Sequence, residues 1–119
     1  MALVYRDAFE RMERQNGNNI YVAIKDGAIV GCMQLTFIAG LSRKGMTRCQ
    51  IEAVRVTSEL RSHGIGKQMM NFAIELAKTS GCGLVQLTTD KTRDDAQRFY
   101  VRLGFTASHI GMKLDLLDG

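Results

Sequence analysis

The sequence of 119 residues contains no proline and no tryptophan, and it has only two histidines and three cysteines. Because proline usually makes up about 5% of a protein, its absence means that no proline-rich linker divides the chain. The odd number of cysteines, without a Cys-x-x-Cys or Cys/His spacing, predicts free thiols in place of a disulfide framework or a zinc site. With His63 and His109 as the only imidazoles, the sequence predicts no bound metal.

Long apolar runs are also missing. No run approaches the roughly 18 residues of a membrane span, and the first residues lack the apolar stretch of a signal peptide. We therefore expect a cytoplasmic protein without a membrane partner. The hydrophobic share of 45% and the charged share of 24% are typical of a globular protein, so we predict a single domain over residues 1–119.

The charge balance is basic, with 16 Lys and Arg against 12 Asp and Glu, and the excess is local. Residues 27–67 contain six basic and two acidic side chains: Arg43, Lys44, Arg48, Arg55, Arg61 and Lys67 against Glu52 and Glu59. Such a segment favours an anionic partner, either a phosphorylated cofactor or a nucleic acid, while a solvated basic surface is an equally open alternative. Because no strand interleaves basic and aromatic residues, we predict no nucleic-acid partner.

Apolar periodicity and turn signals predict an α+β fold. The predicted elements are, in order, a helix over residues 2–15, strands over 20–25, 28–38 and 47–56, a helix from 65 to a stop at Gly81, a strand over 84–88, a helix over 93–103 and a strand over 112–116. Asp26-Gly27 is a hairpin-turn signal between the first two strands. The first three strands should therefore form an antiparallel meander.

The segment between the third strand and the following helix has the features of an anion site. This glycine loop (residues 61–67, Arg-Ser-His-Gly-Ile-Gly-Lys) leads directly into the helix, whose first N–H groups and positive dipole end attract anions. Glycines let the main chain approach a phosphate closely. The loop matches neither the Walker motif nor the dinucleotide fingerprint. Taken alone, the residues leave open a phosphate site or a glycine-rich helix start without a ligand.

Two motifs in the right order resemble those of the GCN5-related N-acetyltransferase (GNAT) family. Arg-x-x-Gly-x-Gly at positions 61–66, after a strand ending in Val-x-Val, resembles the acetyl-coenzyme A signature of that family. Ala-x-x-Phe-Tyr-x-x-Leu-Gly-Phe at positions 96–105 resembles its second signature. The resemblance covers roughly residues 20–116. It implies an α+β GNAT-like domain, with a mostly antiparallel mixed sheet whose central strands splay apart, flanked by helices.

The resemblance implies acetyl-CoA as cosubstrate and no metal. The pantetheine arm would lie along the third strand in the gap between the splayed strands, and the pyrophosphate would lie on the N–H groups of the glycine loop. The implied cofactor-binding residues are Val54, Arg55, Val56, Arg61, Ser62, His63, Gly64, Ile65, Gly66, Lys67 and Arg93. Arg93 replaces an asparagine found in many members and either reaches a phosphate or faces water.

The resemblance also implies that a primary amine attacks the thioester directly within a ternary complex. Tyr100 matches a tyrosine that protonates the coenzyme thiolate in many members, and its alternative is a packed helix residue. Glu52 is the candidate base, whereas a salt bridge to Arg48 or Arg55, or a place on the wrong face of the strand, would exclude that role. Gln50, two residues earlier, could position a water. The acceptor would be a small-molecule or peptide amine.

The chain departs from the family pattern in two ways. Ser58, Leu60 and Ser62 stand where many members have proline, tyrosine and glycine. The usual first strand and first helix of the family have no counterpart before the helix predicted over residues 2–15. In the family, this missing first helix normally helps to wall the acceptor cleft. We therefore expect a homodimer in which a partner subunit fills the gap. A catalytically inactive coenzyme A-binding module is the alternative.

Overall fold

The computed structural model describes residues 8, 10–60, 63–90 and 92–117. The chain forms two compact units, of which the first ends at Leu87 and the second begins at Thr88. Helices and strands are both present, so the predicted α+β class is confirmed. Within the described ranges, no helix is both long enough and apolar enough to cross a membrane.

The first unit contains a four-stranded mixed sheet in the order β1-β2-β3-β4. Its strands are β1 (Asn18–Lys25), β2 (Ala28–Ala39), β3 (Thr47–Val56) and β4 (Leu84–Gln86). The first three strands pair antiparallel, which confirms the predicted meander, and β4 lies parallel to β3. β4 ends at Gln86 and is two residues shorter than predicted.

Both turns between the antiparallel strands contain residues with positive φ. Asp26 and Gly27 both have positive φ, 52° and 80°, and this pair links β1 to β2 in the tight hairpin that the sequence predicts. In the loop before β3, Arg43, Lys44 and Gly45 are also left-handed. This second turn (Ser42–Gly45) therefore displays two cations on a strained backbone.

Helix α1 (Ile65–Thr79) supplies one half of the core. Its buried residues recur at helical spacing and are Ile65, Met69, Met70, Ala73 and Ala77. The sheet supplies the other half from alternate positions of β2 and β3, where Met33, Leu35, Cys49 and Ile51 are at most 3% exposed. Since α1 contacts β2, β3 and β4, one face of the sheet is covered by this helix.

The second unit contains helix α2 (Asp94–Arg102). Before it, Asp90 accepts hydrogen bonds from the backbone N–H and the hydroxyl of Thr92, at 2.9 and 2.7 Å, which hold the pKa of Asp90 below its ordinary value. Gly104, with φ 103°, follows the helix end, as expected of a residue that terminates a helix.

The predicted closing strand over residues 112–116 is wrong, since residues 105–117 contain neither helix nor strand. The alternating apolar pattern is present, but a strand forms only where its backbone pairs with a neighbour. Near the other end of the chain, Ala8 and residues 10–13 are helical. The helix predicted over residues 2–15 is thus confirmed at Ala8 and residues 10–13 and is wrong at residues 14 and 15, whereas residues 1–7 and 9 lie outside the described residues.

Candidate active site

β3 extends well beyond its pairing with β4. The two strands pair only at Arg48, Cys49 and Gln50, opposite Leu84, Val85 and Gln86. β3 continues to Val56, so on the β4 side its residues 51–56 have no strand partner in the described part of the chain. This open backbone edge contains the predicted cofactor-binding residues Val54, Arg55 and Val56.

A β-bulge lies where this open edge begins. Gln34 pairs with Glu52 and Cys32 with Arg55, so that Ala53 and Val54 together face the single residue Met33. Ala53 has φ 54°, in a left-handed region that costs a residue with a Cβ about 1–2 kcal/mol. Bulges of this kind redirect the strand and are common beside active sites. This bulge was not predicted from the sequence, where its only signal was the broken apolar alternation of β3.

The predicted base Glu52 is exposed on the sheet face opposite α1 and belongs to a chain of hydrogen bonds. The Gln50 amide donates to Oε1 of Glu52 at 3.0 Å, and the Gln86 amide donates to Oε1 of Gln50 at 2.8 Å. Among the described residues, Glu52 forms no ion pair with Arg48 or Arg55, and Nη1 of Arg55 donates to the Val54 carbonyl at 3.0 Å. The neutral amide of Gln50 therefore orients the carboxylate of Glu52, which stays exposed to solvent.

A second group of amides continues this face toward β1. Asn18 is buried, and its Oδ1 accepts from the Gln34 amide at 3.0 Å and from the Thr36 hydroxyl at 3.3 Å. The Asn18 amide donates to Oε1 of Gln15 at 2.8 Å. Because Gln34 is the cross-strand partner of Glu52, this group of amides reaches the base candidate. Gln34 and Gln86 were not among the predicted site residues, since only the strand register brings them beside Glu52.

The glycine loop ends at the start of α1. Gly64 is the residue before the helix, has φ 81°, and provides no side-chain cap. The first turn contains Lys67 and no acidic residue, and the first N–H groups of any helix lack intrahelical partners. Among the described residues, a Cβ at Gly64 would meet no heavy atom within 4 Å. His63 is exposed, while Arg61 and Ser62 lie outside the described residues.

In the second unit, Tyr100 is half-buried on α2. Its ring contacts Phe99 and Phe105 edge-on, with ring centroids 5.1 and 5.8 Å apart. Burial raises the pKa of the Tyr100 phenol above its ordinary value, and the guanidinium of Arg93 acts in the opposite direction. Arg93 is itself exposed and directly precedes α2. The phenol therefore keeps its proton at neutral pH, as a proton donor must.

The three cysteines are free thiols. Burial, with a smaller contribution from Cys82, raises the pKa of Cys49 to about 11, and burial also raises the pKa of Cys82. Both thiols are therefore protonated at neutral pH and unsuited to nucleophilic attack. Within the described ranges there is no group of three or more metal-ligating side chains.

The family model and two curated relatives identify the same kind of protein. The family model described as "Acetyltransferase (GNAT) family" matches residues 2–105. The aminoalkylphosphonate N-acetyltransferase of Salmonella typhimurium is 30% identical over 105 residues, which are 88% of this chain and 68% of that protein. The glucosamine 6-phosphate N-acetyltransferase of Trypanosoma brucei brucei is 33% identical over 90 residues, which are 76% of this chain and 59% of that protein.

A solved structure matches nearly the whole chain. The crystal structure of a transcriptional regulator from Bacillus halodurans C-125 has 46% sequence identity and a TM-score of 0.92. The match covers 98% of this chain and 77% of that one. The fold is therefore shared with an experimentally determined structure, and the chain spans about three quarters of the length of that relative.

Proposed function

The chain belongs to the GNAT family of acetyl-CoA-dependent N-acetyltransferases, and on that premise we propose that it transfers the acetyl group of acetyl-CoA to a primary amine by direct attack in a ternary complex. The observation that carries the proposal is the course of β3. Its edge is open from residue 51 to Val56, and the chain then leads through the glycine loop into the uncapped N-terminus of α1. An extended thioester arm and a pyrophosphate fit these two features in that order.

Each part of acetyl-CoA has a matching element in the chain. The pantetheine amides pair with the open backbone of Val54, Arg55 and Val56, in the manner of a short added strand. The pyrophosphate lies on the N–H groups at the start of α1, where Gly64 leaves room and Lys67 adds charge. Arg61, Ser62 and His63 complete the loop, and Arg93 offers a further cation.

The chemistry needs one base and one acid. A water-linked Glu52 removes the proton from the acceptor ammonium, and the neutral nitrogen attacks the thioester carbonyl to form the C–N bond. Backbone N–H groups at the bulge stabilise the negative charge that develops on the carbonyl oxygen. The C–S bond then breaks, and Tyr100 gives its proton to the departing thiolate. As the amide forms, the nitrogen loses its second proton to water. Glu52 releases to solvent the proton that it took, and Tyr100 recovers one from solvent, so the products are an amide, free coenzyme A and one proton.

For the acceptor, we propose an amine that carries an anionic group. Arg48, Gln50 and Glu52 occupy alternate positions of β3 ahead of the bulge, so they share one face of the sheet. Two relatives are named for acetylating an aminoalkylphosphonate and glucosamine 6-phosphate, both amines bearing a phosphorus oxyanion. On this face Glu52 would take the amine, and Arg48 would pair with the anion.

The test is coenzyme A release, measured with a thiol reagent, from acetyl-CoA and matched pairs of amines. An aminoalkylphosphonate should react faster than the simple alkylamine, and glucosamine 6-phosphate faster than glucosamine. Arg48→Gln should remove this preference while leaving thiol release with the uncharged amines. Equal rates within each pair would contradict the proposed acceptor class, and no thiol release with any amine would contradict the proposed reaction.

A second candidate is a coenzyme A-binding module without catalysis. It is favoured by the 46% identical relative, whose structure was solved under the name of a transcriptional regulator and not of an enzyme. This candidate predicts tight binding of acetyl-CoA together with no thiol release in the amine panel. It also predicts that Tyr100→Phe changes no measured rate.

We further propose a cytoplasmic location, no nucleic-acid partner and a homodimer. Three free thiols suit a reducing compartment. The small aromatic share of 7% offers few stacking platforms for bases. Fractionation of cells, a salt-dependent DNA- and RNA-binding assay, and mass measurement in solution test these three statements separately.

A further inference from the structure

The second turn (Ser42–Gly45) presents two cations and an apolar side chain to solvent. Arg43 and Lys44 are exposed. Leu41, directly before the turn, is 96% exposed, more than any other large apolar side chain in the described part of the chain. The Gly45 N–H donates to the Leu41 carbonyl at 3.3 Å, which closes the turn at its base. These side chains therefore project from the end of the sheet where β2 leads into β3.

The backbone of this turn is one that its residues do not favour. Arg43 has φ 49° and ψ 48°, and Lys44 has φ 63° and ψ 37°. Glycine and asparagine adopt this left-handed conformation readily, whereas other residues with a Cβ rarely do. Two consecutive cations thus occupy positions that suit other residues better. Backbone strain of this kind is often retained where the side chains have a function.

Arg48 adds a third cation to the same end of the sheet. A Cβ at Gly40 would lie 3.3 Å from Nη1 of Arg48. Gly40 lies two residues beyond Ile38, which is the cross-strand partner of Arg48. The guanidinium therefore extends along the strands toward the turn. The name basic end is used below for three residues: Arg43, Lys44 and Arg48.

No carboxylate balances the basic end within the described ranges. Residues 27–51 contain neither Asp nor Glu, and the one ion pair among the described residues joins Lys78 to Glu75 on α1. Three cations that share one end of a sheet without acidic partners create a positive potential that attracts an anionic ligand.

The basic end lies at a defined distance from the candidate base. From Thr47, beside the turn, β3 runs five residues to Glu52, which is about 17 Å at the rise of a strand. The glycine loop, where the pyrophosphate is proposed to lie, follows the other end of β3. Acetyl-CoA and an anionic acceptor would therefore approach Glu52 from opposite ends of the same strand.

We propose that the basic end binds an acidic stretch of a polypeptide acceptor whose amine reaches Glu52, an inference that rests on the proposed acetyl transfer. A small anionic amine is too short to reach both Glu52 and the turn. A peptide extended along β3 spans the distance in about five residues. Leu41 offers an apolar contact beside the cations, which suits a polypeptide side chain.

The chemistry of the base favours a polypeptide over a nucleic acid. The amine of a lysine or of a chain N-terminus is largely protonated at neutral pH and needs a group such as Glu52 to take its proton. The exocyclic amines of nucleobases are neutral at that pH and have no such need. Residues 40–48 also contain no aromatic side chain on which a base would stack.

The first experiment measures thiol release with three amidated octapeptides that lack lysine, so that each has one primary amine at its N-terminus. The far peptide has aspartate at its fifth and sixth positions, the near peptide has both aspartates at its second and third positions, and the neutral peptide has asparagine instead. The far peptide should have the lowest KM, by a few-fold to about tenfold for two exposed ion pairs, with a similar kcat for all three. In about 1 M salt, where the screening length is roughly 3 Å, the difference should disappear.

The second experiment removes the cations of the turn. Arg43→Asn combined with Lys44→Asn should raise the KM of the far peptide to that of the near peptide. The unfolding midpoint should not fall, because asparagine suits the left-handed backbone. The matched control combines Lys25→Gln with Lys78→Gln, which removes two positive charges at the end of β1 and in the last turn of α1. This control should keep the preference for the far peptide.

Two outcomes would overturn the proposal. One is equal KM values for the far and near peptides in the native chain, and the other is a preference that survives the double asparagine variant. If the KM values are equal and single-stranded RNA binds in a salt-sensitive manner that the double asparagine variant loses, the basic end belongs to a nucleic acid and the proposal is likewise overturned.

Binding of the far peptide, labelled at its C-terminus and measured by fluorescence anisotropy, separates this proposal from the reaction on which it rests. Binding that depends on Arg43 and Lys44, without thiol release from any amine, would retain the basic end and reject the proposed reaction. Thiol release from uncharged amines without any preference for the far peptide would reject the role of the basic end alone.

Discussion

The two faces of the sheet differ sharply although the same two strands build them. On the face toward α1, Leu35 and Cys49 have no exposed surface. One residue away along the same strands, Gln34 and Gln50 lie half-buried on the opposite face and form hydrogen bonds around Glu52 and Asn18. Strand alternation thus separates the buried core from the proposed catalytic face by a single residue along each strand. Substitutions on one face should therefore change turnover, and substitutions on the other should change stability.

The largest effect is expected at Glu52. In the proposed reaction the Glu52 carboxylate accepts the proton of the amine, so Glu52→Gln should lower turnover by about 10²- to 10⁴-fold. Because the side chain is exposed, the unfolding midpoint should change little. Steady-state thiol release and thermal unfolding of the same variant measure the two effects.

The matched control is Glu75→Gln on α1. Glu75 forms an exposed ion pair with Lys78 at 3.4 Å, a type of contact worth little, and the change should affect neither rate nor stability appreciably. Gln50→Ala should lie in between, since it removes the amide that orients Glu52. A fully active Glu52→Gln variant would contradict the proposal that a carboxylate on this face accepts the proton of the amine.

On the other face, the largest effect is on stability. Leu35 has no exposed surface, and Leu35→Ala should lower the free energy of unfolding by about 2–5 kcal/mol through lost burial and a cavity. Denaturant unfolding gives this value. At a temperature where the variant is still folded, its turnover should stay within a few-fold of native, and a loss as deep as that of Glu52→Gln would break the separation of the two faces.

A smaller loss of stability is expected at Gly31. A Cβ there would lie 2.9 Å from Sδ of Met69 and 3.0 Å from the carbonyl oxygen of Arg55, so Gly31→Ala should cost about 1–3 kcal/mol by overpacking. Gly40→Ala is the control, because its new Cβ would meet only the guanidinium of Arg48, at 3.3 Å. Equal midpoints for the two variants would show that α1 can shift to accommodate the methyl group.

The last effect appears only at high pH. Burial raises the pKa of Cys49 from 9.0 to about 11, so the folded state binds this proton more tightly than the unfolded state. The stability that this thiol contributes is complete below pH 9 and is lost as the pH rises from about 9 to 11. Urea unfolding across this range should show a decline that is shallower in Cys49→Ala. An identical slope in the variant would mean that the thiol is not held neutral on this face.

Local signals in the sequence predicted much of the fold. Asp26-Gly27 identified a two-residue turn, and the helical spacing up to the stop at Gly81 identified α1, because both depend on neighbouring residues alone. The bulge at Ala53 was missed, since the broken apolar alternation of β3 does not locate a bulge and alanine does not indicate a left-handed backbone. The strand over residues 112–116 was wrongly predicted, because a strand pattern does not specify where its partner edge lies.

The candidate site was predicted unevenly for the same reason. Glu52 and Gln50 are two residues apart on one strand, so their common face follows from alternation. Gln34 and Gln86 come beside them only through the pairing of three strands, which the sequence does not reveal. The roles of Tyr100, Arg93 and the glycine loop stay predictions until a ligand is measured.

The central claim is that acetyl-CoA binds along the open edge of β3 and at the start of α1, and thermal unfolding with saturating acetyl-CoA tests it most directly. Ligand at 100 times its dissociation constant should add about 2.7 kcal/mol of stability, a midpoint rise of roughly 10 °C for a domain of this size. Lys67→Glu, which opposes the pyrophosphate, should abolish the rise, and Lys78→Glu at the other end of α1 should retain it. A native midpoint that does not move, or an equal rise in both variants, would contradict the account.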